Sequence, residues 1–138
     1  MSSHMALPAA TPRLPVVDRL IALAAFAAAV LLLRLPFERT TRVAAWVKRR
    51  CRRPATPEEA ETTAAAARWA GQWFPGRAAC LEHSLTAVLA AACKRRAVDW
   101  CIGGRMSPYA AHAWIETDAG PAGEPENPDR PYLLLLRI

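Results

Sequence analysis

The sequence predicts an α+β fold, in which helices come first and a small antiparallel sheet follows. Apolar residues recur at helical spacing in several segments before Lys94, whereas the chain beyond Ala97 alternates between apolar and polar residues. At 138 residues, the chain has the length of a single domain. Because the strands follow the helices rather than alternating with them, an α+β arrangement is favoured over a parallel α/β sheet.

The predicted domain covers residues 13–138, with a helical part over 13–73 and a second part over 74–138. Residues 1–12 are predicted to be a disordered tail. Within it, Ser2-Ser3-His4-Met5 looks like the remnant of an expression tag, so His4 is left out of the search for functional histidines.

The first predicted helix contains fourteen consecutive apolar residues, from Leu20 to Leu33. A helix of that length covers about 21 Å, whereas the hydrocarbon core of a bilayer is about 30 Å thick. We therefore expect a buried or interface helix, covered on both faces by this domain or by a partner chain. Contact with a membrane surface is the less favoured alternative.

Two more helices are predicted before the middle of the chain. Residues 38–50 form a short helix that ends in a basic cluster. Thr56-Pro57-Glu58-Glu59 then combines an N-cap threonine, a proline at the first helical position and acidic residues in the first turn, so it starts a helix that runs to about Trp73. Its aromatic residues are expected to contact the core; they are Trp69, Trp73 and Phe74.

Much of the formal charge of +6 comes from basic residues between Arg34 and Arg53. Such a surface attracts an acidic peptide, an anionic lipid or nucleic acid, or it is simply a solvated face. Because the basic residues are not interleaved with glycine-rich loops and only two aromatic residues, Phe37 and Trp46, lie among them, nucleic acid is not an expected partner. Arg49, Arg50 and Arg53 are the residues expected to hold a partner if the cluster binds one.

Four cysteines occur without the spacing of a disulfide framework or of paired zinc knuckles, which favours a reducing, cytoplasmic setting. The Cys80-x-x-His83 spacing supplies half of a tetrahedral zinc site at most, so neither a metal nor a cofactor is expected.

Cys80 is the residue around which the second part of the chain is organised. A Pro75-Gly76 break precedes it, and apolar residues then recur at helical spacing from Leu81 to Cys93. A thiol in the first turn of a helix lies near the positive end of the helix dipole, which favours the nucleophilic thiolate.

Three strands are predicted after this helix, over residues 98–102, 111–117 and 132–136. A loop from Gly103 to Pro108 is expected to join the first two strands. His112 lies in the middle of the second strand between two alanines, which leave space beside its ring. His83 lies one turn after Cys80 and points along the helix surface, so a solvated or supporting role is expected for it.

A cysteine–histidine enzyme usually needs a third group that orients the imidazole. Glu116 shares a strand face with His112 if the strand is regular. The other candidates follow that strand, and they are Asp118, Glu124, Glu126, Asn127 and Asp129. The residue pattern alone does not choose among them.

Two segments, Phe74 to Leu85 and Ala110 to Glu116, resemble the signature blocks of lasso-peptide biosynthesis B2 proteins, which belong to the transglutaminase-like cysteine protease superfamily. The resemblance covers residues 14–138. It implies a transglutaminase/papain-like core, in which the cysteine-bearing helix packs on a small antiparallel sheet. It also implies a Cys-His-acid triad in which Cys80 is the nucleophile, His112 the base and Glu124 the acid.

The resemblance implies an enzyme that removes the leader from a ribosomally made precursor peptide. Its implied partners are a small leader-binding B1 protein and an ATP-dependent cyclase that acts afterwards.

Two positions depart from the family pattern, because Glu124 replaces the usual aspartate and His83 replaces a common arginine. Asp118, Glu126 and Asp129 therefore stay open as the acid. For the oxyanion, the donors considered are the backbone N–H of Cys80 and the side chain of Gln72.

The competing hypothesis is a non-catalytic binding module of the same fold that docks a partner through its apolar first helix.

Overall fold

A computed structural model describes residues 14–74, 79–105, 110–124 and 132–138. Its helices are α1 (Val16–Leu32), α2 (Phe37–Arg49), α3 (Pro57–Gly71) and α4 (Cys80–Cys93). Its strands are β1 (Arg53–Pro54), β2 (Arg96–Ala97), β3 (Asp99–Arg105), β4 (Ala110–Thr117), β5 (Gly120–Ala122) and β6 (Leu133–Arg137). The predicted α+β class is confirmed, since the helices precede a small antiparallel sheet.

The main sheet has four antiparallel strands in the order β5-β4-β3-β6. Its register places Gly103 of β3 opposite His112 of β4. The sequence did not reveal β5, a strand of three residues that pairs with the end of β4. It also missed the parallel pair of β1 and β2, which has two residues in each strand.

The core lies between the sheet and the helices α1, α3 and α4. Leu85 of α4, Trp100 of β3 and Ile115 of β4 are almost completely buried there. The Trp100 indole N–H donates a hydrogen bond to the Ser84 hydroxyl at 2.9 Å, so the one polar group of this large side chain is satisfied. This contact fixes α4 on the sheet.

The start of α3 follows the predicted capping pattern. The Thr56 hydroxyl accepts a hydrogen bond from the backbone N–H of Glu59, and the Glu59 carboxylate accepts one from the backbone N–H of Thr56. Arg53 and Arg96 also donate to Glu59. The backbone hydrogen bond from Thr56, followed by those from the two arginines, lowers the pKa of Glu59 to about 2.

The domain itself covers only one of the two faces of the first helix, so covering of the other face by a partner chain stays a prediction. Only Ala22, Ala25, Phe26 and Ala29 of α1 are buried, whereas Leu20 and Leu31 are more than 60% exposed. The buried residues recur every three or four positions, so α1 has one inward stripe despite its uniform apolar composition. No helix among the described residues is long and apolar enough to cross a membrane.

Two predictions are wrong. Trp73 follows the end of α3 and is 69% exposed, so it is not a core contact, although Trp69 and Phe74 are partly buried against the core. The beginning of the predicted loop, Gly103 to Arg105, belongs to β3 instead, and residues 106–108 of that loop lie outside the described residues. A Cβ on Gly103 would lie 2.7 Å from both the Trp114 ring and the Leu133 carbonyl oxygen, so glycine is required there by close packing.

Candidate active site

A cavity of about 240 Å³ lies where the beginning of α4 meets β4 and the end of β5. Its lining includes all three predicted catalytic residues, Cys80, His112 and Glu124. The three come from different elements, because Cys80 begins α4, His112 lies in β4 and Glu124 follows β5. The fold therefore brings together residues that are separated by 44 positions of sequence.

His112 and Glu124 are directly hydrogen-bonded, with 2.7 Å between Nε2 of the imidazole and Oε2 of the carboxylate. Because Nε2 is used by Glu124, Nδ1 is the ring nitrogen left to exchange a proton with a neighbouring group. A carboxylate in this position fixes the tautomer and the orientation of a histidine. The longer glutamate side chain thus reaches the imidazole without difficulty.

Aromatic side chains hold the His112 ring in place. The Trp114 ring stacks on it with a centroid distance of 5.7 Å and an interplanar angle of 18°. The Tyr132 ring lies at 5.1 Å, and the Arg105 guanidinium lies over Tyr132 at 5.1 Å from its centroid. Since Trp114 can occupy this position only next to a glycine at 103, the close packing of β3 contributes to the orientation of His112.

Helix α3 holds the segment that carries Glu124. The Gly123 N–H donates to the Glu61 carboxylate at 2.9 Å, and the Arg68 guanidinium donates to the Gly123 carbonyl at 2.8 Å. Gly123 has a φ of +70°, and a Cβ there would lie 2.6 Å from Cβ of Ala64. We refer to Glu61, Ala64, Arg68 and Gly123 as the α3 clamp.

The sequence did not reveal the α3 clamp. Its signal is the spacing of Glu61, Ala64 and Arg68, which places all three on one face of α3. A glycine directly before a candidate acid is a second signal, because it indicates a backbone position with special conformation or little space. Neither signal identifies its partner before the fold is known.

Cys80 is partly buried and is the first residue of α4, as predicted. The Ala79 N–H just before the helix donates to the Glu82 carboxylate at 3.0 Å, which satisfies one free donor at the helix start. Ala79 has no side-chain oxygen with which to accept a bond in return. Backbone N–H groups in the first turn of α4 are thus available near Cys80.

The other cysteines differ from Cys80 in their surroundings. Cys101 is completely buried, and this burial, with the Glu116 carboxylate nearby, raises the pKa of its thiol to about 12. Burial also raises the pKa of Cys51. Cys93 is exposed at the end of α4 and does not line the cavity. Cys80 is the cysteine that shares the cavity with the histidine–glutamate pair.

Of the two roles expected for His83, solvated or supporting, the solvated one does not fit, because its side chain is partly buried in the wall of the cavity. Its ring packs so closely on Gly71 that a Cβ there would lie 2.4 Å from Nε2, and the Phe26 ring lies at 6.4 Å. Burial, followed by the charge of Arg68, lowers the pKa of His83 although the Glu82 carboxylate opposes this. His83 is therefore a neutral part of the cavity wall at neutral pH.

Glu116 and Asp118 differ from Glu124 in their surroundings. Glu116 accepts hydrogen bonds from the Trp114 indole and Arg137, so it belongs to a separate network. Asp118 is exposed in the turn between β4 and β5. Glu126, Asn127 and Asp129 lie outside the described residues. Gln72, the side chain considered for the oxyanion, is exposed and does not line the cavity.

Comparison with family models gives a match to the family described as the transglutaminase-like superfamily, over residues 22–136. This match covers most of the chain, including the helical part as well as the sheet. The chain belongs to the transglutaminase-like superfamily. No match was found among curated proteins or among solved structures.

Membership of the transglutaminase-like superfamily agrees with the arrangement of the fold, in which a cysteine-bearing helix packs on a small antiparallel sheet. Proteins of this superfamily are generally cysteine peptidase-like or transferase-like. Both activities start with attack of a thiolate on a carbonyl carbon, and they differ in whether water or an amine receives the acyl group. The contents of the cavity fit this shared first step.

Proposed function

We propose that this protein is a cysteine peptidase that removes the leader from a ribosomally synthesised lasso-peptide precursor. The observation that carries the proposal is the His112–Glu124 hydrogen bond, inside the same cavity that Cys80 lines. The resemblance of the segments around Cys80 and His112 to B2 proteins supplies the substrate class. Superfamily membership supports the reaction type.

In the proposed mechanism, His112 accepts the thiol proton of Cys80 at Nδ1 as the sulfur attacks the scissile carbonyl. Glu124 accepts the hydrogen bond of the Nε2–H group and stabilises the imidazolium that forms. His112 then gives the proton to the leaving amine, which departs as the new N-terminus of the core peptide. An acyl-enzyme, with the leader joined to Cys80 as a thioester, remains.

Water completes the reaction. His112 takes a proton from the water, the resulting hydroxide equivalent attacks the thioester, and the leader leaves with a C-terminal carboxylate while the thiol is restored. The oxyanion formed in both halves of the reaction is proposed to accept a hydrogen bond from the backbone N–H of Cys80 at the helix start. The free amine of the core peptide is the group that a later ATP-dependent cyclase needs for a macrolactam bond.

The test is incubation of the cognate precursor with this protein and the small leader-binding B1 protein, followed by mass spectrometry of the products. We expect Cys80→Ala and His112→Ala each to lower the cleavage rate by at least about 1,000-fold. Cys93→Ala is the matched control, because this thiol is exposed and lies outside the cavity. Cleavage retained by Cys80→Ala or His112→Ala, with folding verified by circular dichroism, would overturn the catalytic assignment.

A second candidate function is a non-catalytic module that docks a partner through α1. It is favoured by the exposed apolar residues of that helix, of which Leu20 and Leu31 are examples. A precursor that is bound but not cut, together with a Cys80 thiol that resists alkylation at neutral pH, would support this candidate over the peptidase.

A further inference from the structure

A second depression, of about 620 Å³, lies between α2 and the C-terminal end of β6 and shares no lining residue with the catalytic cavity. Four cationic side chains line it, namely Arg42, Lys48, Arg49 and Arg137. Leu136 and Ile138 provide apolar wall on the side of the sheet. We refer to this depression as the α2–β6 groove.

The four cations of the groove are not equivalent. Lys48 and Arg137 are both bound to Asp99, and Arg137 also contacts Glu116 at 2.7 Å, so these two are already neutralised. Arg42 and Arg49 are exposed and make no ion pair among the described residues. Seven positions separate them, which places them on one face of α2. Their charge is available to an anionic partner.

The remainder of the basic cluster has other contacts. The Arg50 guanidinium lies 4.2 Å from the centroid of the Trp46 ring, and Arg53 pairs with Glu59 at 2.8 Å. Of the three arginines expected from the sequence to hold a partner, only Arg49 lines the groove. Arg42, another member of the basic cluster, also lines the groove.

The groove adjoins the edge of the main sheet. Among the residues that the structure describes, β6 is the last strand on its side, so its outer backbone groups have no partner strand there. Leu133 and Leu135 on this strand are 71% and 68% exposed. An apolar edge strand with free backbone groups is a template for pairing with an additional strand.

We propose that β6 and the α2–β6 groove dock an extended, acidic and apolar peptide segment of a partner protein. The segment would pair with β6 as a fifth strand, contact Leu133 and Leu135 with its apolar side chains, and place carboxylates next to Arg42 and Arg49. Two copies of this chain would repel one another, since each carries a formal charge of +6. The proposal concerns binding alone and does not depend on peptidase activity.

A fluorescein-labelled peptide of sequence Glu-Val-Glu-Leu-Glu-Val-Glu provides the probe, and its glutamine counterpart, Gln-Val-Gln-Leu-Gln-Val-Gln, is the uncharged control. Binding to the full chain is measured by fluorescence anisotropy at about 50 mM and about 300 mM salt. We expect the acidic peptide to bind more tightly, with an affinity that falls as salt is raised. The double variant Arg42→Ala/Arg49→Ala should weaken binding at low salt by about tenfold or more.

The matched control is Arg34→Ala/Arg52→Ala, which removes the same charge from exposed positions outside the groove and should weaken binding less than about twofold. Hydrogen exchange should show protection of β6 amides on binding of the acidic peptide. Equal weakening in both double variants would overturn the proposal, as would unchanged exchange in β6. A twelve-nucleotide single-stranded DNA and phosphatidylglycerol vesicles are tested in the same way. If either binds more tightly than the acidic peptide, and Arg42→Ala/Arg49→Ala abolishes that binding, the groove binds that ligand rather than a peptide.

Discussion

The two edges of the four-stranded sheet differ in how they are finished. At the β5 edge, the α3 clamp binds the backbone of Gly123 on both its N–H and its carbonyl group, and the next residue is Glu124. At the β6 edge, exposed leucines border a basic groove, and no further strand follows among the described residues. One edge is therefore fixed by helix α3 next to the cavity, whereas the other is open and lies beside a basic groove.

Helix α3 explains much of this difference. Its start is secured by the reciprocal Thr56–Glu59 hydrogen bonds and by two arginines, and its opposite end carries Arg68 to the cavity. The helical part of the chain is thus more than a scaffold beside the sheet, because it positions the acid of the candidate triad. Three predictions test the contrast between the edges, beginning with the largest expected effect.

Glu124→Gln tests whether the fixed edge serves catalysis. The amide keeps the size of the side chain but loses the charge that stabilises an imidazolium at His112, so we expect a loss of about 100- to 10,000-fold in kcat/KM for precursor cleavage. Asp118→Asn, in the exposed turn of the same edge, is the control and should cleave normally. Normal cleavage by Glu124→Gln would instead direct the search for the acid to Glu126 and Asp129.

Gly123→Ala tests the clamp itself. The new Cβ would meet Ala64 at 2.6 Å and Arg68 at 2.8 Å, and the φ of +70° disfavours any side chain. We expect a loss of roughly 3 kcal/mol in the free energy of unfolding, measured by chemical denaturation, together with about tenfold slower cleavage.

Gly120→Ala separates backbone strain from the clamp contact. Gly120 also has a positive φ, of +110°, but a Cβ there meets nothing within 4 Å. The Gly120→Ala substitution should lower the free energy of unfolding by only about 1 kcal/mol and leave cleavage unchanged. If the two alanine variants slow cleavage equally, the contacts of α3 with Gly123 do not position Glu124.

Asp99→Asn tests the attachment of the open edge, where Asp99 holds Arg137 of β6 and Lys48 of α2. Burial alone would raise the pKa of Asp99, but hydrogen bonds from Lys48 and Arg137 outweigh it and hold the pKa below its ordinary value. The charged form is therefore the one that stabilises the fold. We expect the variant to be about 1 kcal/mol less stable at pH 7, with unchanged cleavage.

The pH dependence of this difference follows from the lowered pKa. The stabilisation by Asp99 is fully present above its unfolded pKa of about 3.9 and is lost as the pH falls through the lower folded pKa. Denaturation curves of the two proteins should therefore converge at low pH. Glu58→Gln, which removes an exposed carboxylate at the start of α3, should show a smaller difference at pH 7. A difference between Asp99→Asn and the parent that grows as the pH falls would contradict the assigned ion pairs.

Local patterns in the sequence predicted the elements that depend on local interactions. Three of these predictions are confirmed: the Thr56-Pro57 start of α3, the position of Cys80 at the beginning of α4 and the strand around His112. These elements could be predicted because caps, helical spacing and alternation express local preferences of the backbone. The prediction for Gly103 and Gly104 was wrong because glycine also occurs in strands where an aromatic ring must approach the backbone.

The sequence by itself determined the α+β class, the order of the four helices and the three longer strands, and the candidates Cys80 and His112, whereas Glu124 followed from the resemblance to B2 proteins. Only the tertiary structure decided that Glu124 contacts His112, that Glu61 and Arg68 hold the segment before it, and that Arg42 and Arg49 share a groove while Arg50 and Arg53 have other contacts. For the contacts of Glu124 with His112 and of Gly123 with helix α3, the physical reason is distance along the chain. Residues 12 to 62 positions apart meet only after helices and strands have packed, and no local preference encodes which pairs will meet.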